Sequence, residues 1–174
     1  ALDGFGFRNH YACFCSRCSE LHGAKNPERV ATVSEESLVT VSDFIYQSAK
    51  SVKPEAVVTN HVWPQFNPNP YYGSRLRLDY CTQTISWFYK PNWSLERVEL
   101  EASLHKKMEQ PDRNTFVPFI GLFADEYQQR PADRVRRELE IAMRYGDGSV
   151  VLCTLDAPQK VAAVRKVVSE ILKK

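Results

Sequence analysis

Three thiols stand within six residues: Cys13, Cys15 and Cys18. Thiolates are zinc ligands and a structural zinc site is tetrahedral, so this cluster supplies three of four positions, with His10 or water able to close the fourth. A metal held there would tether a loop and contribute to folding. The metal-free alternative is three thiols packing a loop. A second set of residues follows a series of short apolar runs: Arg8, Asn9 and His10; Asn60, His61 and Trp63; Gln83 and Trp87; Asp125, Glu126 and Tyr127; Thr154 and Asp156. Planar amides and guanidinium groups match pairs of hydroxyls, and rings stack on apolar sugar faces, so this inventory suits a carbohydrate. Three of its members, Asp125, Glu126 and Asp156, are carboxylic acids. Glycosidic cleavage uses two carboxyl groups, one to protonate the leaving oxygen and one to attack carbon or activate water.

The elements that must position these side chains are legible as alternating runs. Apolar stretches of strand length occur at Ala1–Phe7, Ala56–His61, Leu76–Thr82, Phe116–Phe123 and Val150–Leu155. None alternates cleanly with polar residues, which fits strands covered on both faces. Between them lie four amphipathic helices. The first spans about Glu35 to Lys50, with Thr32 and Glu35 as a capping box and Leu38, Val41, Phe44, Ile45 and Ala49 on one face. The second follows Ser94 as N-cap and carries Leu95, Val98, Ala102 and Met108. In the third, Pro131 sits at the first turn, Val135, Leu139 and Ala142 face inward, and Gly146 stops the helix. The fourth follows Asp156 and Pro158, with Val161, Val164, Val168 and Ile171 inward. Strand then helix, repeated, predicts a parallel α/β fold.

One connection carries no helical period. Residues Val62 to Arg75 hold three prolines with Trp63, Phe66, Tyr71 and Tyr72. A long structureless crossover after a strand is a place for ligand contacts, Tyr72 among them; the alternative is a surface loop packing its own rings. Cys81 and Cys153 fall inside apolar runs and read as small buried hydrophobes. Arg134, Arg136 and Arg137 lie on one helix with acids nearby and read as a solvated face.

Composition narrows the class. With 23 basic and 21 acidic side chains the net charge is +2, too balanced to draw the chain to nucleic acid or a membrane surface. No stretch reaches the roughly 18 apolar residues that cross a bilayer. Hydrophobic residues make 43% and charged residues 25% of the 174, which is ordinary for a soluble globular domain with no internal linker. Seven glycines are scattered and form neither of the phosphate-cradling patterns that open a nucleotide-binding unit.

The segment ALDGFGFRNHYACFCSRC, a strand with Asp-Gly leading through a cysteine-rich loop towards a helix, resembles the fourth strand and following loop of (β/α)8 glycoside hydrolases, notably the zinc-containing β-galactosidase family. KPEAVVTNHVW, RLDYCTQTISWFYKPNW, NTFVPFIGLFADEY and GDGSVVLCTLD are similar in order to strands five to eight. The resemblance implies a TIM-type barrel of which residues 1–174 supply strands four to eight, with the missing strands from an upstream segment or a partner chain, and with oligomer formation as one route. The alternative is an open doubly wound α/β sheet.

What the resemblance implies about function is a hydrolase acting on carbohydrate at the C-terminal face of the barrel, with no cofactor needed for catalysis and Glu126 as nucleophile after the seventh strand. The family carries an Asn-Glu pair at the end of the fourth strand; here there is no Glu, and Arg8 stands where starch-degrading barrels place an Asp. The second acid is then Asp125 or Asp156, or comes from elsewhere. Two other readings stay open: a non-catalytic carbohydrate-binding barrel, and a zinc-stabilised interaction fragment.

Overall fold

The computed structural model describes residues 2–3, 16–22, 27–62, 69, 71–87 and 89–173. In chain order these form β1 (Leu2–Asp3), α1 (Ser16–His22), α2 (Pro27–Val52), β2 (Thr59–Val62), a 3-10 turn (Tyr72–Arg75), β3 (Tyr80–Ser86), α3 (Leu95–Lys107), β4 (Thr115–Gly121), α4 (Ala132–Tyr145), β5 (Val151–Cys153), α5 (Asp156–Lys160) and α6 (Ala162–Ile171). The five strands form one parallel sheet in the order β1-β2-β3-β4-β5. Leu2 pairs with Asn60 at one end and Phe119 with Val151 at the other. The parallel α/β expectation holds. A doubly wound sheet reverses its strand order at a switch point, and this order contains no reversal, so that alternative is set aside. No described helix is long and apolar enough to cross a membrane.

The chain divides into two compact units, residues 1–81 with 109–115, and residues 82–108 with 116–174. In the first, Leu38, Val62, Tyr72, Leu76, Leu78 and Cys81 form the core. Helix α2 begins at Pro27, eight residues before the expected start. Proline at the first helical position loses no bond, because its missing N–H would have been an orphan there. Thr32 and Glu35 are therefore interior to the helix and make no capping box. Glu35 instead accepts from Arg75 Nη1 at 2.6 Å and from Asn69 Nδ2 at 3.1 Å. The buried stripe of α2 runs through Glu35, Leu38 and Ser42; of the expected face Leu38 is buried and Ile45 and Ala49 are half-buried, whereas Phe44 is 71% and Val41 43% exposed.

The C-terminal end of α2 is fastened by one carboxylate. Asp79 accepts from Val58 N–H at 2.7 Å and Tyr46 Oη at 3.3 Å, and its Oδ2 lies 2.9 Å from Lys50 Nζ. Burial alone would push the Asp79 carboxyl up, but the Val58 and Lys50 contacts together hold it below its ordinary value. Nearby, the buried Asn114 amide donates to the carbonyls of Gly73 and Leu76. Leu76 and Leu78 are thus core residues of an irregular segment, and β3 begins four residues later than their apolar character suggests.

The second unit packs α3, α4 and α6 around Ile85, Phe116, Ile120 and Leu122. Ser94 caps α3 as expected, its Oγ accepting from Arg97 N–H at 3.2 Å. Met108 lies past the last turn and is exposed; the inward position after Val98 and Ala102 belongs to His105, which stacks on Phe116 at 5.4 Å. Val135, Leu139 and Ala142 of α4 are buried, and Gly146 follows its last residue. A Cβ at Gly146 would overlap the Ser149 carbonyl and the Pro118 ring. The expected single C-terminal helix is two: Val161 adopts an extended backbone that breaks α5 from α6. Val164, Val167 and Ile171 turn inward, and Val168 is half-buried.

Burial pulls the His105 imidazole from 6.5 down to about 4. The unfolded chain therefore binds the extra proton first, and stability held above pH 6.5 is lost as pH falls towards 4. The full effect is about 3 kcal/mol. Urea midpoints measured across that window should fall steeply for the wild type and less steeply for His105→Leu. Equal slopes would show that His105 is not the responsible group.

Candidate functional site

In parallel sheets, ligands gather at the carboxyl ends of the strands. In the second unit that edge is aromatic. Trp87 follows the last residue of β3, and Phe123 lies two residues beyond β4. Trp87 meets Tyr89 edge-on at 5.6 Å and stacks with Trp93 at 6.4 Å, while Tyr89 stacks with Phe123 at 6.0 Å. Arg97 covers the Trp93 ring at 3.8 Å, so Trp93 buttresses the cluster from within. Tyr89 and Tyr127 present ring surface to solvent, at 41% and 73% exposure.

The loop after β4 is ordered by its own acid. Asp125 Oδ1 accepts from the N–H groups of Tyr127 and Gln128, both at 3.0 Å, an Asx turn of the kind that substitutes a side chain for a backbone acceptor. Lys90 Nζ reaches across to the Glu126 carbonyl at 3.0 Å, which joins this loop to the one carrying Tyr89. The Glu126 carboxylate itself makes no hydrogen bond or ion pair among the described residues. At β5, Gly121 pairs with Cys153 and Leu122 N–H donates to the Cys153 carbonyl at 2.8 Å. Thr154 and Asp156 therefore leave the sheet beside Leu122 and Phe123. Thr154 has φ 61°, a left-handed backbone that is costly for a β-branched residue and recurs at functional edges. Asp156 opens α5, its Oδ2 3.7 Å from Lys160 Nζ.

Beneath the rings lies a buried charge network. Glu138 of α4 has no exposed side-chain surface, and Arg130 only 2%. Glu138 Oε2 lies 2.7 Å from Arg130 Nη1, an ionic contact without hydrogen-bond alignment. Its Oε1 accepts from Ser86 Oγ at 2.9 Å and Arg134 Nε at 2.7 Å. Arg130 also donates to Ser86 Oγ at 3.0 Å and to the Gly121 carbonyl. Burial draws the Arg130 guanidinium down from its ordinary value, and the Glu138 charge opposes this. Arg134, expected on a solvated face, instead donates to Glu138 and, at 2.5 Å, to the Trp93 carbonyl. Arg136 ion-pairs with Glu170, and Arg137 is exposed.

Asn60 and His61 stand in β2, the first buried and the second half-buried; Gln83 is buried within β3. Tyr72, expected as a ligand contact, is 2% exposed and belongs to the first unit's core, where desolvation pushes its hydroxyl pKa up. It packs there as the first residue of the 3-10 turn. Cys81 is buried and its thiol is pushed up by desolvation; Cys153 is half-buried. Cys18 lies in α1, and Arg8, His10, Cys13, Cys15 and Trp63 lie outside the described residues, as does the zinc arrangement built on them. Sequence reasoning missed Tyr89, Lys90, Phe123, Arg130 and Glu138. The run WFYKPNW was the available signal for the first two.

No protein-family model, curated protein or solved structure matches the chain. The fold and the site define a parallel α/β protein with an aromatic surface at its strand ends.

The two acids of the loop after β4 should separate by substitution. Asp125→Ala removes a double cap and should cost about 1 kcal/mol in chemical denaturation. Glu126→Gln, at a side chain with no partner to lose, should stay within about 0.5 kcal/mol of wild type. Equal costs would contradict the division of labour between them.

Proposed function

We propose that this chain is a glycoside hydrolase-like, carbohydrate-binding protein of (β/α)8-barrel type, with the sugar seated on the aromatic edge of the second unit. The observation that carries this reading is the linked set of rings Trp87, Tyr89 and Phe123 at the ends of adjacent parallel strands, bordered by the exposed rim of Tyr127, Glu126 and Lys90. Aromatic faces take the apolar side of a pyranose, and the polar rim takes its hydroxyls. The strand order is that of a singly wound sheet, which agrees with a barrel segment.

Among the three candidate acids, Glu126 is the one whose carboxylate is free to act as nucleophile or acid. Asp125 spends an oxygen on backbone donors, and Asp156 sits beyond the end of β5 as the remaining candidate for the second group. A second reading, binding without cleavage, is favoured by the exposure of Glu126, since a general acid at neutral pH works best from a dry pocket that raises its pKa.

Calorimetric titration of the complete protein with β-linked gluco- and galacto-oligosaccharides tests the binding reading. Trp87→Ala and Tyr89→Ala should each weaken binding by roughly 1 kcal/mol, about fivefold. An unaltered affinity in both would remove the aromatic edge from the site. Glu126→Gln should abolish turnover of aryl glycosides and spare binding; unchanged turnover would exclude Glu126 from the chemistry.

A further inference from the structure

We infer that Arg130 is a positioning residue for the aromatic surface, and that its planar fork, rather than its charge alone, sets the placement of Trp87 against Phe123. The consequence for sugar rests on the carbohydrate reading above, but the placement itself is independent of any ligand.

The geometry runs through the backbone neighbours of the rings. One arm of the guanidinium donates to Ser86 Oγ, on the residue immediately before Trp87, and the other to the Gly121 carbonyl, two residues before Phe123. The ends of β3 and β4 are thereby joined from below. Glu138 holds the same Ser86 hydroxyl and, through Arg134, the carbonyl of Trp93. Trp93 stacks on Trp87, and Tyr89 bridges Trp87 to Phe123. The buried pair, together with Arg134, thus engages the Ser86 side chain and the carbonyls of Gly121 and Trp93, each at or close to one of the cluster's rings.

Stability alone does not require this device. A buried ion pair is often matched by well-packed hydrocarbon of the same volume, and the best-attested return on burying one is a unique arrangement of the groups around it. Arginine suits the task because its donors are fixed in one plane and can engage two acceptors at once. A lysine ammonium at the same place would neutralise Glu138 but could not hold Ser86 and Gly121 in a defined relation.

Two substitutions separate the fork from the charge. Arg130→Lys keeps the positive charge; Ser86→Ala removes one acceptor and is mild enough to leave the fold in place should the lysine variant not fold. The readouts are proton-proton NOEs between the Tyr89 and Phe123 rings and the near-ultraviolet circular dichroism of the Trp87–Trp93 pair, both recorded without sugar. Arg130→Lys should lose at least about half of both signals, and Ser86→Ala should alter the tryptophan signal while sparing the Tyr89–Phe123 NOEs. Signals intact in a folded Arg130→Lys, or a tryptophan signal unmoved in Ser86→Ala when the lysine variant does not fold, would overturn the inference. Affinity for the β-linked oligosaccharides should fall roughly tenfold alongside the spectroscopic loss. Loss of the ring signals with unchanged affinity would uphold the positioning role and reject the sugar site.

Discussion

A carboxylate with no solvent contact must be neutralised where it stands, and Glu138 meets that condition by gathering Arg130, Arg134 and the Ser86 hydroxyl around it. Water would have solvated these groups in the unfolded chain at little cost, so folding forfeits several kcal/mol per ion unless the geometry is good. That demand propagates. Arg130 can satisfy its remaining donors only if the Gly121 carbonyl and Ser86 stay where they are, and Arg134 only if the chain at Trp93 stays too. The ends of β3 and β4 and the approach to α3 therefore move together or not at all. Rings attached to those points inherit the constraint, which is how an interior charge comes to shape an exposed surface.

The first unit uses charge differently. Asp79 remains partly solvated, and its contacts fasten α2 to the segment between β2 and β3. Glu35 and Arg75 do the same towards the other end of the helix, with Asn69 sharing the carboxylate. The buried stripe of α2 over residues 35–42 includes an acid and a serine, while Phe44 and Val41 face outward. Polar contacts and the packing of Leu38 thus share one face of this helix.

Much of the architecture was legible because local signals agree with the tertiary outcome. Ser94 before α3, Pro131 before α4 and Gly146 after it mark helix ends by backbone chemistry that does not depend on the rest of the molecule. The parallel α/β organisation followed from alternation of strand-length runs with amphipathic helices. Strand positions were less exact, since an apolar run reports burial rather than pairing. Leu76 and Leu78 are buried without belonging to a strand, whereas Thr82, Gln83, Thr84 and Ser86 are polar, buried and fully within one.

At the site, the strand-end location of Trp87, Asp125 and Glu126 could be read from the runs that precede them. The Asx turn made by Asp125 could not, because an acid at a turn and an acid in a mechanism look alike in sequence. Arg130 precedes α4 and Glu138 lies within it, and they meet over Ser86 of β3, a contact that no local period encodes. Tyr72 shows the converse limit: an aromatic in a proline-rich stretch reads as a loop residue, and its burial in the core within a 3-10 turn carries no local signal.

We propose that a carbohydrate rests on the ring surface at the ends of β3 and β4. The most direct measurement is heteronuclear NMR of the complete protein, with assigned aromatic and indole resonances, followed during addition of β-linked gluco- and galacto-oligosaccharides. Saturable shifts should concentrate at Trp87, Tyr89, Phe123 and Tyr127, with little change in the core around Leu139 and Val164. Saturable shifts confined to other surfaces, or none with any of these sugars, would contradict the proposal.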